Sequence, residues 1–396
     1  MPAITEKPRV TWEEVCARRL DRHGLSSPLE EIKLPEITGM LCGVHAQVLS
    51  AAELSIGLRT TRAKREDIHE ALWREKSLVK AFGPRGTVHL LASDDLPMWT
   101  GALSAIPLSS SSTPRDPASL PEKTRLTPEQ TDEIVEIIAD ILRHEELTIE
   151  ELGEAVIRAA GPWADDRVVP AFGGMWPRWR LALPIAGIRG ALCYGPSRGR
   201  KVTYISPERY LPDFQPMDGR TALSQVVKRF LLAYGPATPQ QFAKWLNVSP
   251  LWSVELFKAM TRELQPVEVD GETAWVVAGD VSFPSKGPHG IRLLPYFDSY
   301  VVGCHPRDRI FPGVAAERAL SGGQAGNFPV MLVNGIAAGV WNLRKAGRKL
   351  YITVEPFAEL TAIQKRELAD QVERIGQFLG GQPQLTIGAV TTGAHA

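Results

Sequence analysis

The chain predicts an α+β protein: tandem winged helix-turn-helix units followed by a strand-rich C-terminal α+β domain. Three observations carry this reading. The order helix, helix, β-hairpin is written twice, most clearly over 238–277 and again over 148–205. Beyond residue 290 the pattern turns from helical to strand-like. Breaks at 109–128, 210–220 and 280–290, rich in Ser, Pro and Gly, separate these parts. They divide the chain into 1–125, a helical and winged-helix-like region; 126–215 and 216–285, one winged helix each; and 286–396, the α+β domain.

Residues 11–23 (TWEEVCARRLDRH) predict an opening helix, with Thr11 as cap and Glu14 in the capping-box position. Segment 40–49 is apolar apart from His45 and Gln47, and Ser50 is placed to cap a helix through AAELSIGLRT. Over 61–82, Ile68, Leu72 and Val79 fall near one face of an amphipathic helix, and GPRGTVHLL then reads as a turn into a strand. In the repeat at 148–205, Thr148 starts a helix, a Trp-rich helix is expected near 175–183, and 191–205 forms a hairpin. In the clearer copy, Thr238 and Pro239 open the helix PQQFAKWL and Ser249 starts LWSVELFKAM. The run 267–277 is strand, Asp270-Gly271 turn, strand. Strands are then expected in IRLLPYFDSYVVG, PVMLVNGIAAGVWNL with an Asn334-Gly335 turn, and KLYITVEPF. A helix closes the domain at 360–379, and TTGAHA is expected to fray.

A chain of 396 residues holds about two to four domains of ordinary size. No apolar run approaches the ~20 residues of a membrane span, and MPAITEKPRV lacks the apolar core of a secretory signal, so a cytoplasmic, nucleoid-associated protein is expected. Cys16, Cys42, Cys193 and Cys304 are scattered without a C-x-x-C, which argues against a disulfide framework or a structural zinc site. The 45 basic and 45 acidic residues cancel, so any attraction to a polyanion must be local. Arg167, Arg178, Arg180, Arg189, Arg198, Arg200 and Lys201 lie in a stretch, 167–207, without an Asp or Glu, and RTTRAKR at 59–65 and RKAGRK at 344–349 are shorter basic islands. Such a stripe suits phosphate, or is simply a solvated face.

Most standard catalytic signatures are missing: there is no Walker A loop, dinucleotide fingerprint or H-E-x-x-H. What remains is a polar pair in an apolar setting, His45-Ala46-Gln47 within MLCGVHAQVL. Two residues apart they diverge on a helix but share a face in an extended segment, which Gly43 favours. The bland alternative is a hydrogen-bonded pair in a partly buried strand.

Four stretches together carry a resemblance: GVHAQVLSAAELSIGLRT at 43–60, the amphipathic segment leading to PRGTVHLL at 84–91, LPYFDSYVVGCHPRDRI at 294–310, and VNGIAAGVWNL with VEPF across 333–357. On these the chain resembles the winged-helix DNA glycosylases of the AlkZ and YcaQ type over most of its length. The family motif is Gln, an apolar residue, then Gln or Asp; His45 matches its first position and Gln47 its second. His45 departs from the Gln of both types. Members with His there resemble glycosylases of self-resistance to DNA-alkylating, intercalating antibiotics. The resemblance implies a monofunctional DNA glycosylase that hydrolyses the N-glycosidic bond of bulky N7- or N3-alkylated purines.

So mild a pair suits that reaction, because a purine alkylated at N7 or N3 is cationic and leaves readily. The enzyme then needs to position a water and support an oxocarbenium-like sugar. Gln47 can hold the water and His45 can orient it or take its proton. No Lys lies in the motif, so hydrolysis without strand cleavage is expected, with no cofactor and no metal. The expected partner of this monomer is double-stranded DNA carrying alkylated purines, with no membrane.

Candidate DNA contacts are Arg85, Thr87 and His89, the wing residues Arg198, Arg200 and Lys201, and Arg307 with Arg309. For Arg85 a structural salt bridge is as good a reading. Asp298 is expected as a structural carboxylate or as one that orients a group near the site. The competing functional readings are a non-catalytic winged-helix DNA-binding regulator and a scaffold whose winged helices bind proteins. A regulator would be expected to carry one compact reading head and a dimerisation segment.

Overall fold

The cap spacing read from the sequence at Thr11 and Glu14 recurs at other helix starts, among them that of Pro128–His144, a helix not foreseen. Capping boxes join Thr11 to Glu14, Thr127 to Gln130, Thr148 to Glu151 and Thr361 to Gln364 at the starts of Trp12–Arg22, Pro128–His144, Ile149–Ala160 and Ala362–Leu379. Thr238 and Gln241 exchange the same two bonds at the start of Pro239–Leu246. The computed structural model describes residues 7–107, 121, 124–171 and 174–395, so most of the expected loop at 109–128 lies outside the described residues. It is an α+β fold in two compact units, Met1–His69, Val227–Trp245 and Pro250–Ala396 in one, Glu70–Val226 and Leu246–Ser249 in the other. The first unit therefore gathers chain from the beginning, middle and end of the sequence.

In the first unit the clearer repeat folds as read. Helix Pro250–Ala259 is followed by the hairpin Leu264–Val269 and Glu272–Val277, whose turn residues Asp270 and Gly271 have φ of 46° and 88°. Phe230 packs between Phe242 and Trp245, with ring centroids 5.1 and 4.9 Å away. Burying each such ring contributes about 1.5–3 kcal/mol. Beyond it, five strands pair in the order Ile291–Leu294, Val330–Val333, Ile336–Ala346, Lys349–Pro356, Gln382–Ile387. The closing helix Ala362–Leu379 buries Leu368, Val372, Ile375 and Phe378. Its Phe378 lies so close to helix Leu49–Gly57 that a Cβ on Gly57 would fall 2.2 Å from the ring.

In the second unit the other repeat ends in the expected hairpin, Cys193–Arg198 with Lys201–Ile205. Its core gathers Ile134, Ile138, Leu142, Leu152, Val156 and Trp179.

Several expectations give way, each for a local reason. The amphipathic run 61–82 is not one helix: Arg65–Trp73 ends, Lys76 takes φ 57°, and Leu78–Phe82 is a strand paired with Val88–Ala92. Ile68, Leu72 and Val79 are all fully buried, so a helix and then a strand satisfy the same apolar spacing. The expected helix at 175–183 begins as strand Gly174–Pro177, continues as a 3₁₀ turn Arg178–Leu181, and becomes α-helical only at Leu183–Ile188. Pro177 holds the residue before it extended and has no N–H to donate. Ser50 is not a cap: helix Leu49–Gly57 starts after Val48, without a side-chain bond. SYVVG is helix Ser299–Gly303 rather than strand, because Asp298 caps it by accepting from the Tyr300 N–H. Strands Arg9–Val10 and Gln382–Ile387 were not foreseen; both pair in parallel, beyond the reach of hairpin signals. The tail is not simply frayed, since the Thr392 hydroxyl and the His395 backbone N–H both hold partners.

One buried ion pair ties the first unit together. Arg59 and Asp298 are both wholly buried and make two parallel bonds, Nη1 to Oδ2 at 2.8 Å and Nη2 to Oδ1 at 2.9 Å. Arg59 Nη1 also donates to the Ser55 carbonyl at 2.7 Å and Arg59 Nε to the His23 carbonyl at 2.8 Å, while the Ser55 hydroxyl donates to Asp298 Oδ2 at 2.6 Å. Burial alone raises the Asp298 pKa, but the Arg59 charge and the bonds from Arg59, Ser55 and the Tyr300 N–H hold it below the usual range. His23 beside the pair is driven the other way: burial, then the Arg59 charge, push its pKa down to about 3.

Asp298→Ala, which strands a buried guanidinium, is expected to lower stability by about 3–5 kcal/mol in urea unfolding. The carboxyl is held below its unfolded value, so its contribution is complete above about pH 4 and drains as pH falls through the folded value. The stability difference between the parent and Asp298→Asn should therefore shrink only in that acid range.

Candidate active site

His45 reaches its position through a turn that few residues tolerate. Cys42 and Gly43 take φ of 56° and 92°, and the Ser299 hydroxyl donates to the Gly43 carbonyl at 3.2 Å. The chain then enters the two-residue strand Val44–His45. His45 is 8% exposed, and its ring stacks on Phe297 with centroids 4.7 Å apart and planes 29° from parallel. Ala46 is fully buried, and Gln47 is exposed in the bend that leads into helix Leu49–Gly57. The extended run stops at His45, so strand alternation no longer fixes the direction of Gln47. The pair thus combines an imidazole walled by an aromatic ring with a carboxamide open to solvent, and both groups can donate and accept hydrogen bonds.

Phe297 was not singled out in the sequence, and its backbone explains why it is special. Its φ of 55° is a left-handed conformation that costs a bulky residue about 1–3 kcal/mol. The Phe297 N–H donates to the Gly326 carbonyl at 2.9 Å, and Asp298 follows directly. Gly326 itself has φ 101°, and a Cβ there would lie 2.8 Å from Val302 Cγ2 and 3.1 Å from Phe297 Cδ1. Only a glycine lets the ring settle there. A second buried carboxylate, Glu53 on helix Leu49–Gly57, accepts from Arg65 Nε at 2.5 Å and approaches His69 Nε2 at 2.7 Å.

The candidate DNA contacts fare differently from one another. Arg85, with φ 63°, places Nη2 3.5 Å from His89 Nε2, while His89 Nδ1 lies 2.9 Å from the Thr87 carbonyl. An Nδ1–H donated to that carbonyl leaves Nε2 to accept from Arg85, so the three residues form one local unit. His89 is buried and the Thr87 hydroxyl donates to the Pro84 carbonyl. On the wing, Arg198 makes two bonds to Glu151, at 2.6 and 3.1 Å, and Lys201 lies 3.5 Å from Glu150. Arg200 is exposed at the turn. Arg307 points inward, donating to the Val301 and Val302 carbonyls, and burial pushes its pKa down. Arg309 lies 3.4 Å from Asp270.

The stretch 167–207 is therefore not unopposed once folded. Arg167, Arg178 and Arg189 pair with Asp165, Asp166 and Asp132, and Arg180 lies over the Trp176 ring at 4.3 Å. In the island 59–65, Arg59 is buried and Arg65 pairs with Glu53. Only the third stretch presents all its cations: Arg344, Lys345, Arg348 and Lys349 are exposed at the tip of the hairpin Ile336–Ala346 and Lys349–Pro356.

Comparison with known proteins sets this geometry in context. The family model described as DNA glycosylase AlkZ-like matches residues 39–378, which include His45, Gln47, Phe297, Asp298 and Gly326. The chain is similar to an interstrand DNA cross-link repair glycosylase of Streptomyces sahachiroi, 32% identical over 358 residues that cover 89% of this chain and 92% of that protein. Its structure is similar to that of the Streptomyces sahachiroi DNA glycosylase AlkZ, with a TM-score of 0.76 at 27% identity, over 96% of this chain and 100% of that one.

Gly326→Ala is expected to push Phe297 off His45 while the fold persists. In NMR the His45 ring protons should lose the upfield shift that a stacked ring imposes; an unchanged spectrum would contradict the packing argument.

Proposed function

Because the chain belongs to the AlkZ-like DNA glycosylase family, we propose that it hydrolyses the N-glycosidic bond of bulky N7- or N3-alkylated purines, in repair of, or self-resistance to, DNA-alkylating natural products. The observation that carries the site assignment is the pair itself: His45 held against Phe297, with Gln47 exposed two residues on. The name of the cross-link repair relative supports a bulky adduct as substrate.

A cationic purine leaves with the electron pair of its C1′–N bond, and water supplies oxygen to C1′. Gln47 holds that water through its carboxamide. His45 orients it or takes its proton, and Phe297 confines the imidazole to bonds in its own plane. An unmodified purine is a poor leaving group, so selectivity arises largely from the lesion.

DNA is gripped through its phosphates. Arg200 on the wing and the four cations at the hairpin tip present open charge, while Arg198 and Lys201 would exchange a carboxylate for a phosphate. Arg309 stands in the same relation to Asp270. Arg85 contributes through its guanidinium, with Thr87 and His89 setting its position; Arg307 holds the loop. The protein acts as a monomer near the nucleoid. Among the described residues no helix is long and apolar enough to cross a membrane.

The test is a duplex carrying one N7-alkylguanine. The expected result is free base and an intact strand with an abasic site, with release slowed about 100-fold or more in His45→Ala and clearly slowed in Gln47→Ala. Full activity in both variants would remove the site assignment, a β-elimination product would refute hydrolysis, and no release from any alkylated duplex would refute the reaction. Arg200→Ala should weaken binding alike on all sequences and reduce the salt slope by about 1.

A further inference from the structure

The last residues, beyond the 39–378 span shared with the family, return to the candidate site. Past strand Gln382–Ile387 the chain is clamped firmly at Val390. Its N–H donates to Glu355 Oε2 at 2.7 Å, and its carbonyl accepts from Arg318 Nη2 at 2.7 Å. Arg318 and Glu355 are themselves joined by two bonds of 3.0 Å. Beyond this clamp the hold is light. Residues 391–394 are exposed, Thr392 accepts from Asn342 Nδ2 at 2.7 Å, and the His395 N–H donates to the Asn327 carbonyl at 2.8 Å.

The His395 ring nevertheless lands in a specific place. It meets Tyr296 and Phe297 edge-on, with centroids 5.4 Å from each and planes inclined by 65° and 75°. Phe297 therefore carries His45 against it on one side and His395 at another, and Asn327, which holds the tail, adjoins Gly326 beneath the Phe297 ring.

We propose that residues 391–395 are a strap that covers the Tyr296–Phe297 edge beside His45, and that this edge is uncovered when the damaged nucleotide docks there. The proposal rests on the reading of His45 as part of the reacting centre. Firm anchoring at Val390 followed by a few isolated contacts is what a displaceable segment requires, since only those contacts must be lost on opening. An imidazole against two aromatic rings also makes the kind of contact that a flat base would make in its place.

The test compares the parent chain with His395→Ala and with a chain ending at Val390, on a duplex bearing one 2′-fluoro-N7-methylguanosine nucleotide. The fluorine disfavours positive charge on the sugar, so binding is read without cleavage. Both variants should bind about 3- to 10-fold more tightly, as expected if the open form is a minority in the parent. In the parent, exchange of the His395 amide proton should speed on adding this duplex. Unchanged or weaker binding in either variant, or slower exchange at His395, would overturn the strap. Base release from the unfluorinated duplex is measured in parallel. Its absence from every form would count against the glycosylase reading, while the affinity comparison decides the strap.

Discussion

A guanidinium and a carboxylate, both shut away from water, join the helix that follows Gln47 to the helix that follows Phe297. Arg59 and Asp298 are 239 residues apart in sequence, and their two bonds fix the two sides of the candidate site with respect to each other. Asp298 serves twice, since the oxygen that meets Arg59 Nη2 also caps helix Ser299–Gly303. Ser299, next in the chain, holds the turn before His45. Isolated buried charges are costly, and such pairs earn their place through geometry rather than net energy. Here the geometry is the distance from Phe297 to His45.

Local chemistry was the most legible part of the chain. Thr11, Thr148 and Thr238 signal helix starts because the cap and its acid or amide lie three residues apart, within reach of a short-range reading, while the same signal at Thr127 was missed beside a Ser- and Pro-rich stretch. The Asp270-Gly271 and Asn334-Gly335 turns were legible for the same reason: few residues accept positive φ at two successive positions. Where one apolar spacing suits a helix or a strand, as at Val79, sequence could not choose, and the backbone reversal at Lys76 decided.

The candidate site was half legible. His45 and Gln47 stood out as polar residues in an apolar run, and the resemblance suggested the role proposed for them. Phe297, Ser55, Arg59 and Gly326 carry no such mark. Each matters because of a partner far away in sequence, and Phe297 and Gly326 also because of backbone angles that no composition reveals. Charge was the most misleading signal. A stretch free of acidic residues looked like a bare cationic stripe, yet Asp132, Asp165, Asp166, Glu150 and Glu151 come from flanking segments to meet it.

That pairing bears on how long the protein stays on undamaged DNA under the proposed function. A wing whose Arg198 and Lys201 already hold carboxylates gains little net attraction from a phosphate, because one anion merely replaces another. Fewer counterions are released, the encounter complex is shallow, and departure is fast. Residence then depends on what the damaged nucleotide adds beside His45, so scanning proceeds by brief visits with lengthy stops reserved for lesions.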